Sequence, residues 1–120
     1  MGVFNGVFPI QPGKEEAARA FAADAGGARR AELSEHLGRA NVTRETWALQ
    51  ETPMGSFMLV WFEGDVEAAF ADLATDTEFT SWFRARVLDV TGVDLGAAPA
   101  GPPPEVLVDW HADRTRGECP

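Results

Sequence analysis

Along Ser56-Phe57-Met58-Leu59-Val60-Trp61-Phe62-Glu63 every interior position is apolar. Aromatic and β-branched residues favour strands, and strand side chains point alternately to opposite faces. Met58, Val60 and Phe62 therefore take one face, and Phe57, Leu59 and Trp61 take the other. A strand with one face in water alternates apolar and polar positions. This one does not, so the pattern predicts cover on both sides. Val3 to Ile10 reads as a first strand, with Phe4, Gly6, Phe8 and Ile10 on one parity and Val3, Asn5 and Val7 on the other. Gly6 marks a weak point or a bulge in it. Thr43 to Thr52 reads as a second strand, in which Trp47, Leu49 and Glu51 alternate with Thr46, Ala48 and Gln50. With Met54-Gly55 as a two-residue loop, Leu49 lies opposite Val60, Trp47 opposite Phe62 and Ala48 opposite Trp61. Trp47, Leu49, Met58, Val60 and Phe62 then form the larger apolar face, the one expected to pack on helices. Thr46, Ala48, Gln50, Phe57, Leu59, Trp61 and Glu63 form the other, a mixture of aromatic and polar groups suited to a ligand cavity or a wet interface.

The remaining segments carry helical spacing. Pro12-Gly13-Lys14-Glu15-Glu16 starts a helix whose stripe is Ala17, Ala18, Phe21 and Ala22, and Gly26-Gly27 stops it. A second piece from Ala28 to Ala40 is weakly apolar, through Ala31, Leu33 and Leu37, and is expected at the surface; Asn41 suits its C-terminal cap. Asp65 suits the N-cap of a helix from Val66 to Ala74, with Val66, Ala69, Phe70 and Leu73 on one side. Asp76 or Thr77 caps the cleanest amphipathic helix, which carries Phe79, Trp82, Phe83, Val87 and Val90 and closes at Gly92. Residues 96–104 form a linker stiffened by Pro102-Pro103-Pro104. Glu105 to Trp110 reads as a last strand, with Val106, Val108 and Trp110 on one face. Residues 1–111 are thus expected to form a single domain, followed by a polar, flexible tail over 112–120.

Strand, helices, strand, strand, helices, strand is the βαββαβ order of ferredoxin-like α+β folds. It predicts a four-stranded antiparallel sheet with helices on one face. The bare face then calls for a second copy, so a homodimer through that face is expected.

Charge and cysteine content narrow the partners. The 120-residue chain has a net charge of −9, Lys14 is its only lysine, and its arginines are scattered. Nucleic acid and anionic membrane surfaces are disfavoured as partners. Cys119 is the only cysteine, so an internal disulfide and a cysteine metal site are excluded. No phosphate-binding glycine loop, dinucleotide fingerprint, zinc motif or Gly-x-Ser-x-Gly elbow occurs, and neither a metal nor a cofactor is expected. The N-terminus lacks signal-peptide features and no apolar run is long enough to span a bilayer, so a cytoplasmic location is expected.

Four stretches resemble the dimeric α+β barrel superfamily that includes antibiotic-biosynthesis-type monooxygenases. They are Val7 to Lys14, Glu45 to Glu51, Phe57 to Glu63 and Glu78 to Arg84. Within that group, Trp82-Phe83-Arg84 and the Trp47 to Glu63 hairpin are most similar to a bacterial family of unknown function. The resemblance spans about residues 3 to 110. It implies a dimeric barrel and, if it extends to activity, cofactor-independent oxidation of an aromatic substrate. That superfamily also hosts isomerases, lyases and plain binding proteins, and a fold does not dictate a function.

Four residues are candidates for acid–base chemistry. His36 follows Ser34-Glu35 on the weakly apolar helical piece and reads either as a proton shuttle at a pocket mouth or as a solvated surface histidine. Asp109 and His111 share parity on the last strand, so Asp109 can orient His111, unless the strand end frays. Glu63 ends the central strand on the parity of Trp61, where a carboxylate beside an indole gains a raised pKa; its other reading is a residue that simply leads into the next helix. Trp61, Gln50, Thr46, Asn5, Leu59 and Phe57 are the expected ligand-binding residues. Binding or transformation of a small, largely apolar molecule beside the sheet is the expected function. A non-catalytic structural or regulatory homodimer is the alternative.

Overall fold

The computed structural model describes residues 2–97 and 102–112. Seven elements follow in order: β1 (Gly2–Pro9), α1 (Glu15–Gly26), α2 (Arg30–Arg39), β2 (Arg44–Thr52), β3 (Gly55–Gly64), α3 (Val66–Leu73) and α4 (Glu78–Thr91). The strands make one open antiparallel sheet in the order β1-β3-β2. The apolar run from Phe57 to Phe62 is thus the centre of the sheet, paired along both edges. That pairing satisfies its backbone groups, while side-chain cover is a separate matter.

Three expectations need correction. The sheet has three strands among the described residues, not four, and it stays open. The ferredoxin-like βαββαβ fold and the dimeric barrel implied by the resemblance are therefore overturned. Glu105 to Trp110 is described but pairs with nothing: Leu107, Val108 and Trp110 are about four-fifths exposed and Val106 about half. Alternation of apolar residues reports a propensity for extended backbone, and a strand exists only when an edge accepts it. Three prolines without N–H groups immediately precede this segment.

The hairpin register also differs. Thr52 pairs with Gly55, so Pro53-Met54 is the turn, and Trp47 faces Val60, Leu49 faces Met58 and Ala48 faces Leu59. The Thr52 hydroxyl accepts from the Met54 N–H at 3.0 Å and donates to the Gly55 carbonyl at 2.7 Å, which ties the turn one residue early. The shift is two residues, an even number, so every side chain keeps its predicted face. Gly6 makes no bulge, because the β1–β3 register runs unbroken from Gly2↔Gly64 to Pro9↔Phe57. A Cβ there would sit 2.5 Å from the Phe4 ring and 2.9 Å from the Phe8 ring. The glycine lets two large rings on the same face close over it.

The helices begin and end for local reasons. Thr77 and Thr80 form a reciprocal capping box at α4, and Gly92 ends that helix with φ 77°. The Asp65 carboxylate accepts from the Ala68 N–H at 3.0 Å to start α3. Asn41, just past α2, takes φ 54°, and the turn it makes delivers the chain to β2.

The core lies between the helices and one face of the sheet. Phe21, Leu73, Phe79, Phe83 and Val87 pack with Leu33, Trp47 and Trp82. Phe62 stacks on Phe4 with ring centres 5.2 Å apart, and Phe70 meets Phe4 edge-on at 5.0 Å. Met58 and Val90 join Ile10 and Ala18 at the other end. Among the described residues the opposite face of the sheet carries no helix. There Val7 is 66% exposed and Leu59 36% exposed, with Phe57 and Trp61 half-buried among neighbours on their own face.

Candidate functional site

A cavity of about 80 Å³ lies within the core, between the helices and the covered face of the sheet. Phe4, Phe8, Trp47, Val60 and Phe62 line it from the sheet, and Leu33, Phe70, Phe83 and Val87 from the helices. Its wall is apolar almost throughout. Three residues with polar side chains reach it: Glu45, His36 and Thr91. The Thr91 hydroxyl is donated to the Val87 carbonyl at 2.7 Å, which leaves Glu45 and His36 as its titratable groups.

Glu45 is on β2, two residues before Trp47, so both side chains point under the sheet. The Trp47 Nε1–H donates to Glu45 Oε2 at 2.7 Å. Burial pushes the Glu45 carboxyl above its ordinary pKa, and the indole hydrogen bond opposes this only in part. Trp47 is itself fixed by Phe21 at 5.1 Å and Phe83 at 5.8 Å between ring centres.

His36 is on α2 and only 3% exposed. Its Nδ1 lies 2.6 Å from Asp72 Oδ2 of α3. Asp72 also accepts from Arg39, whose Nε and Nη2 sit 2.9 and 3.0 Å away. The Arg39 hydrogen bond chiefly holds the Asp72 carboxyl below its ordinary pKa, against the effect of burial and with help from His36. A carboxylate in that position accepts the Nδ1–H and so fixes the tautomer of the ring. Among the described residues no fully buried side-chain nitrogen or oxygen lacks a partner. Among the described residues Nε2 of His36 makes no hydrogen bond.

A second, more polar cleft of about 390 Å³ lies between α1, α2 and the start of β2. Leu33, Glu45 and Trp47 border both hollows. The Glu45–Trp47 pair is thus a partition between the surface cleft and the inner cavity.

The expected site residues fall elsewhere, with one exception. Asn5, Trp61 and Thr46 form one row across the sheet, and Phe57 pairs with Pro9 and Gln50. Leu59 lies between Val7 and Ala48. All six belong to the uncovered face, away from the cavity, and Glu63 lies at the end of the same face opposite Val3 and Arg44. His111 Nε2 and Asp109 Oδ1 do come within 2.7 Å, on an exposed stretch with no contact to the cavity wall. His36 is the exception. It is buried rather than solvated, because Leu33, His36 and Ala40 share one face of α2, and that face turns inward.

Glu45 and Asp72 were not among the sequence candidates. Glu45 had a signal: it shares the parity of Trp47 and Leu49, so an acidic side chain falls on the helix-covered face. Asp72 had none, since its partners His36 and Arg39 come from a distant helix.

No protein-family model, curated protein or solved structure matches this chain. The monooxygenase resemblance therefore contributes nothing further to the site. Among the described residues no helix is long and apolar enough to cross a membrane, and no group of three or more His, Cys, Asp or Glu side chains could hold a metal ion.

Proposed function

We propose that this protein binds or transforms a small, largely apolar molecule in the cavity between sheet and helices. The observation that supports this is the make-up of the wall: an apolar enclosure with two titratable side chains set into it. Pockets for drug-sized ligands run to roughly 300–1,000 Å³. The smaller space here suits a compact molecule with a single polar group. The adjoining cleft supplies a route in, past Glu45 and Trp47. Thermal unfolding with cyclopentanone or benzene as probe tests the reading. A ligand that binds the folded state alone raises Tm with concentration. The rise is expected in the natural chain and lost in Ala69→Leu, which adds bulk to the cavity wall. No rise with either probe, and no small molecule retained in native mass spectrometry, would overturn it.

The uncovered sheet face favours a second reading, association with another copy of the chain without barrel closure. Val7 and Leu59 are the exposed apolar residues there, and Phe57 and Trp61 flank them. Such a patch is the usual mark of an interaction surface. Sedimentation across a hundredfold range of concentration tests it: concentration-dependent dimerisation that Leu59→Lys abolishes supports it, and a monomer throughout overturns it.

A further inference from the structure

The cleft between α1, α2 and the start of β2 has a volume of about 390 Å³, within the range of small-molecule sites. Leu33, Leu37 and Val42 give it an apolar side, and Ser34 and Thr43 add hydroxyls. Arg30, Leu33, Ser34 and Leu37 follow the i, i+3, i+4, i+7 spacing of one helix face, so α2 turns a single side toward it. Glu45 and Trp47 form its boundary with the inner cavity, joined by the 2.7 Å bond from the indole to Oε2. A molecule that meets one of this pair is within reach of the other. Charge in the cleft converges on Glu45. Among the described residues its carboxyl has no basic neighbour, and its side-chain partner is the Trp47 indole. Two arginines also border the cleft. Arg44 has the opposite strand parity to Glu45 and carries its guanidinium to Trp61 of the uncovered face, 5.8 Å from the ring centre. Arg30 is exposed in the first turn of α2, where solvent and salt screen it. The chain as a whole carries a net charge of −9, which draws cations toward it. Burial disfavours charge on Glu45, and a cation placed beside it opposes that effect, whichever state the free chain holds.

We propose that this cleft is a binding site for a small organic cation, a primary amine with an apolar body, whose ammonium group pairs with Glu45. The site is separate from the inner cavity and does not depend on a ligand there. The ammonium donates to the carboxylate in a charge-assisted hydrogen bond. The Trp47 N–H stays on Oε2 and holds the carboxylate in place, while the other oxygen receives the ligand. The hydroxyls of Ser34 and Thr43 are acceptors for the remaining ammonium protons. The apolar body lies against Leu33, Leu37 and Val42. A neutral molecule of the same shape forgoes the ion pair, and an anion is repelled by the carboxylate.

The test is titration of the natural chain with phenethylammonium, phenethyl alcohol and hydrocinnamate, three probes of similar shape and different charge. Binding is read from the Trp47 indole N–H resonance and from calorimetry. The ammonium is expected to bind at least about tenfold tighter than the alcohol, as for hydrogen bonds to charged groups, and the hydrocinnamate to bind weakest. Glu45→Gln keeps an acceptor for the Trp47 N–H and should remove the advantage of the amine over the alcohol. Glu67→Gln removes the same charge from an exposed position on α3 and should change the amine affinity by less than about twofold. Ser34→Trp fills the cleft from an exposed helix position and should abolish amine binding, whereas Ala69→Leu fills the inner cavity and should preserve it. Equal affinity for amine and alcohol, an amine affinity unchanged in Glu45→Gln, or tighter binding of hydrocinnamate overturns the proposal. Amine binding that survives Ser34→Trp and is lost in Ala69→Leu also overturns it, by moving the amine into the inner cavity. Absence of amine binding overturns it too and leaves the cavity reading, which is tested with neutral probes, standing.

Discussion

The two faces of the sheet are built from the same three strands and similar residues, yet they do different things. Under the helices, Phe62 is 4% exposed and Met58 8%, locked among Phe4, Phe70 and Val90. On the other side, Leu59 and Val7, one or two positions along the same strands, remain in contact with solvent. The covered face holds the cavity, and the polar groups set into it, Glu45 and His36, are each tied to a named partner. The uncovered face holds Asn5 and Thr46 beside Trp61 and Gln50 beside Phe57, with no enclosure around them. Aromatic and polar residues side by side therefore mark no binding site on their own. Enclosure changes what a polar group can do, because burial there raises the Glu45 pKa and packing fixes its geometry.

The largest effect that can break this contrast is a truncation on each side. Phe62→Ala should cost about 3–5 kcal/mol of unfolding free energy, the usual range for a buried aromatic, because its ring stacks on Phe4 and lies 6.2 Å from Phe70. Leu59→Ala should cost less than about 1 kcal/mol, since the site keeps contact with solvent. Urea denaturation of both variants at one protein concentration checks this. Equal losses would mean that both faces are covered.

A smaller effect separates the two indoles on these faces. Trp47→Phe removes the N–H that meets Glu45, leaving a half-buried carboxyl without that donor. The cost should be about 1–3 kcal/mol, as for other orphaned buried polar groups. Trp61→Phe should cost less, because Trp47 has the indole hydrogen bond to Glu45 and Trp61 makes none among the described residues. The same urea experiment reads both, and a larger loss for Trp61→Phe would reverse the ranking of the faces.

Most of the elements were legible in the sequence, and the reasons are local. Period-two alternation placed β1, β2 and β3, and Thr77, Asp65 and Gly92 marked helix ends through hydrogen bonds that span only a few residues. Parity survived a misplaced turn, since a two-residue slip leaves Trp47 and Leu49 on their face. The fourth strand was not legible, because Val106, Val108 and Trp110 carry the right alternation yet pair with neither edge of the sheet. The same limit hid the site. Trp61 and Gln50 suggested a ligand wall by composition, but only the packing of α2 on α3 brings His36 to Asp72. A histidine three residues after Leu33 and four before Ala40 was the available clue that it faces inward.

Acidity sharpens the contrast within the covered face itself, with an effect that grows only as pH changes. Glu45 has a folded-state pKa raised above its unfolded value by burial. Its favourable contribution is complete below the unfolded pKa and is lost as pH rises through the folded pKa. Asp72 is the opposite: its pKa is lowered, chiefly by Arg39, so its contribution is present above the unfolded pKa and lost as pH falls through the folded pKa. Glu45→Gln should therefore gain stability relative to the natural chain as pH rises from about 4.5, the ordinary glutamate value. Asp72→Asn should lose its disadvantage as pH falls below about 3.8. Urea midpoints measured from pH 3 to pH 8 check both, and parallel curves for all three proteins would refute the two shifts.

The smallest expected effect concerns the segment that fails to become a strand. Leu107 and Val108 are 82% and 81% exposed, so replacing both with serine should change unfolding free energy by no more than about 0.5 kcal/mol. The change is informative because of what pairing would require. A strand added to either edge of this sheet would place successive side chains on opposite faces, so one of these two residues would meet the covered side and the other the uncovered side. The residue on the covered side would lose most of its contact with water, and its replacement by serine would cost roughly 1.5–3 kcal/mol. A double substitution with no measurable cost, read from the same urea midpoint, keeps the sheet at three strands and keeps its outer face free of this segment. A loss above about 1 kcal/mol would put the segment on the sheet and remove the asymmetry between the faces.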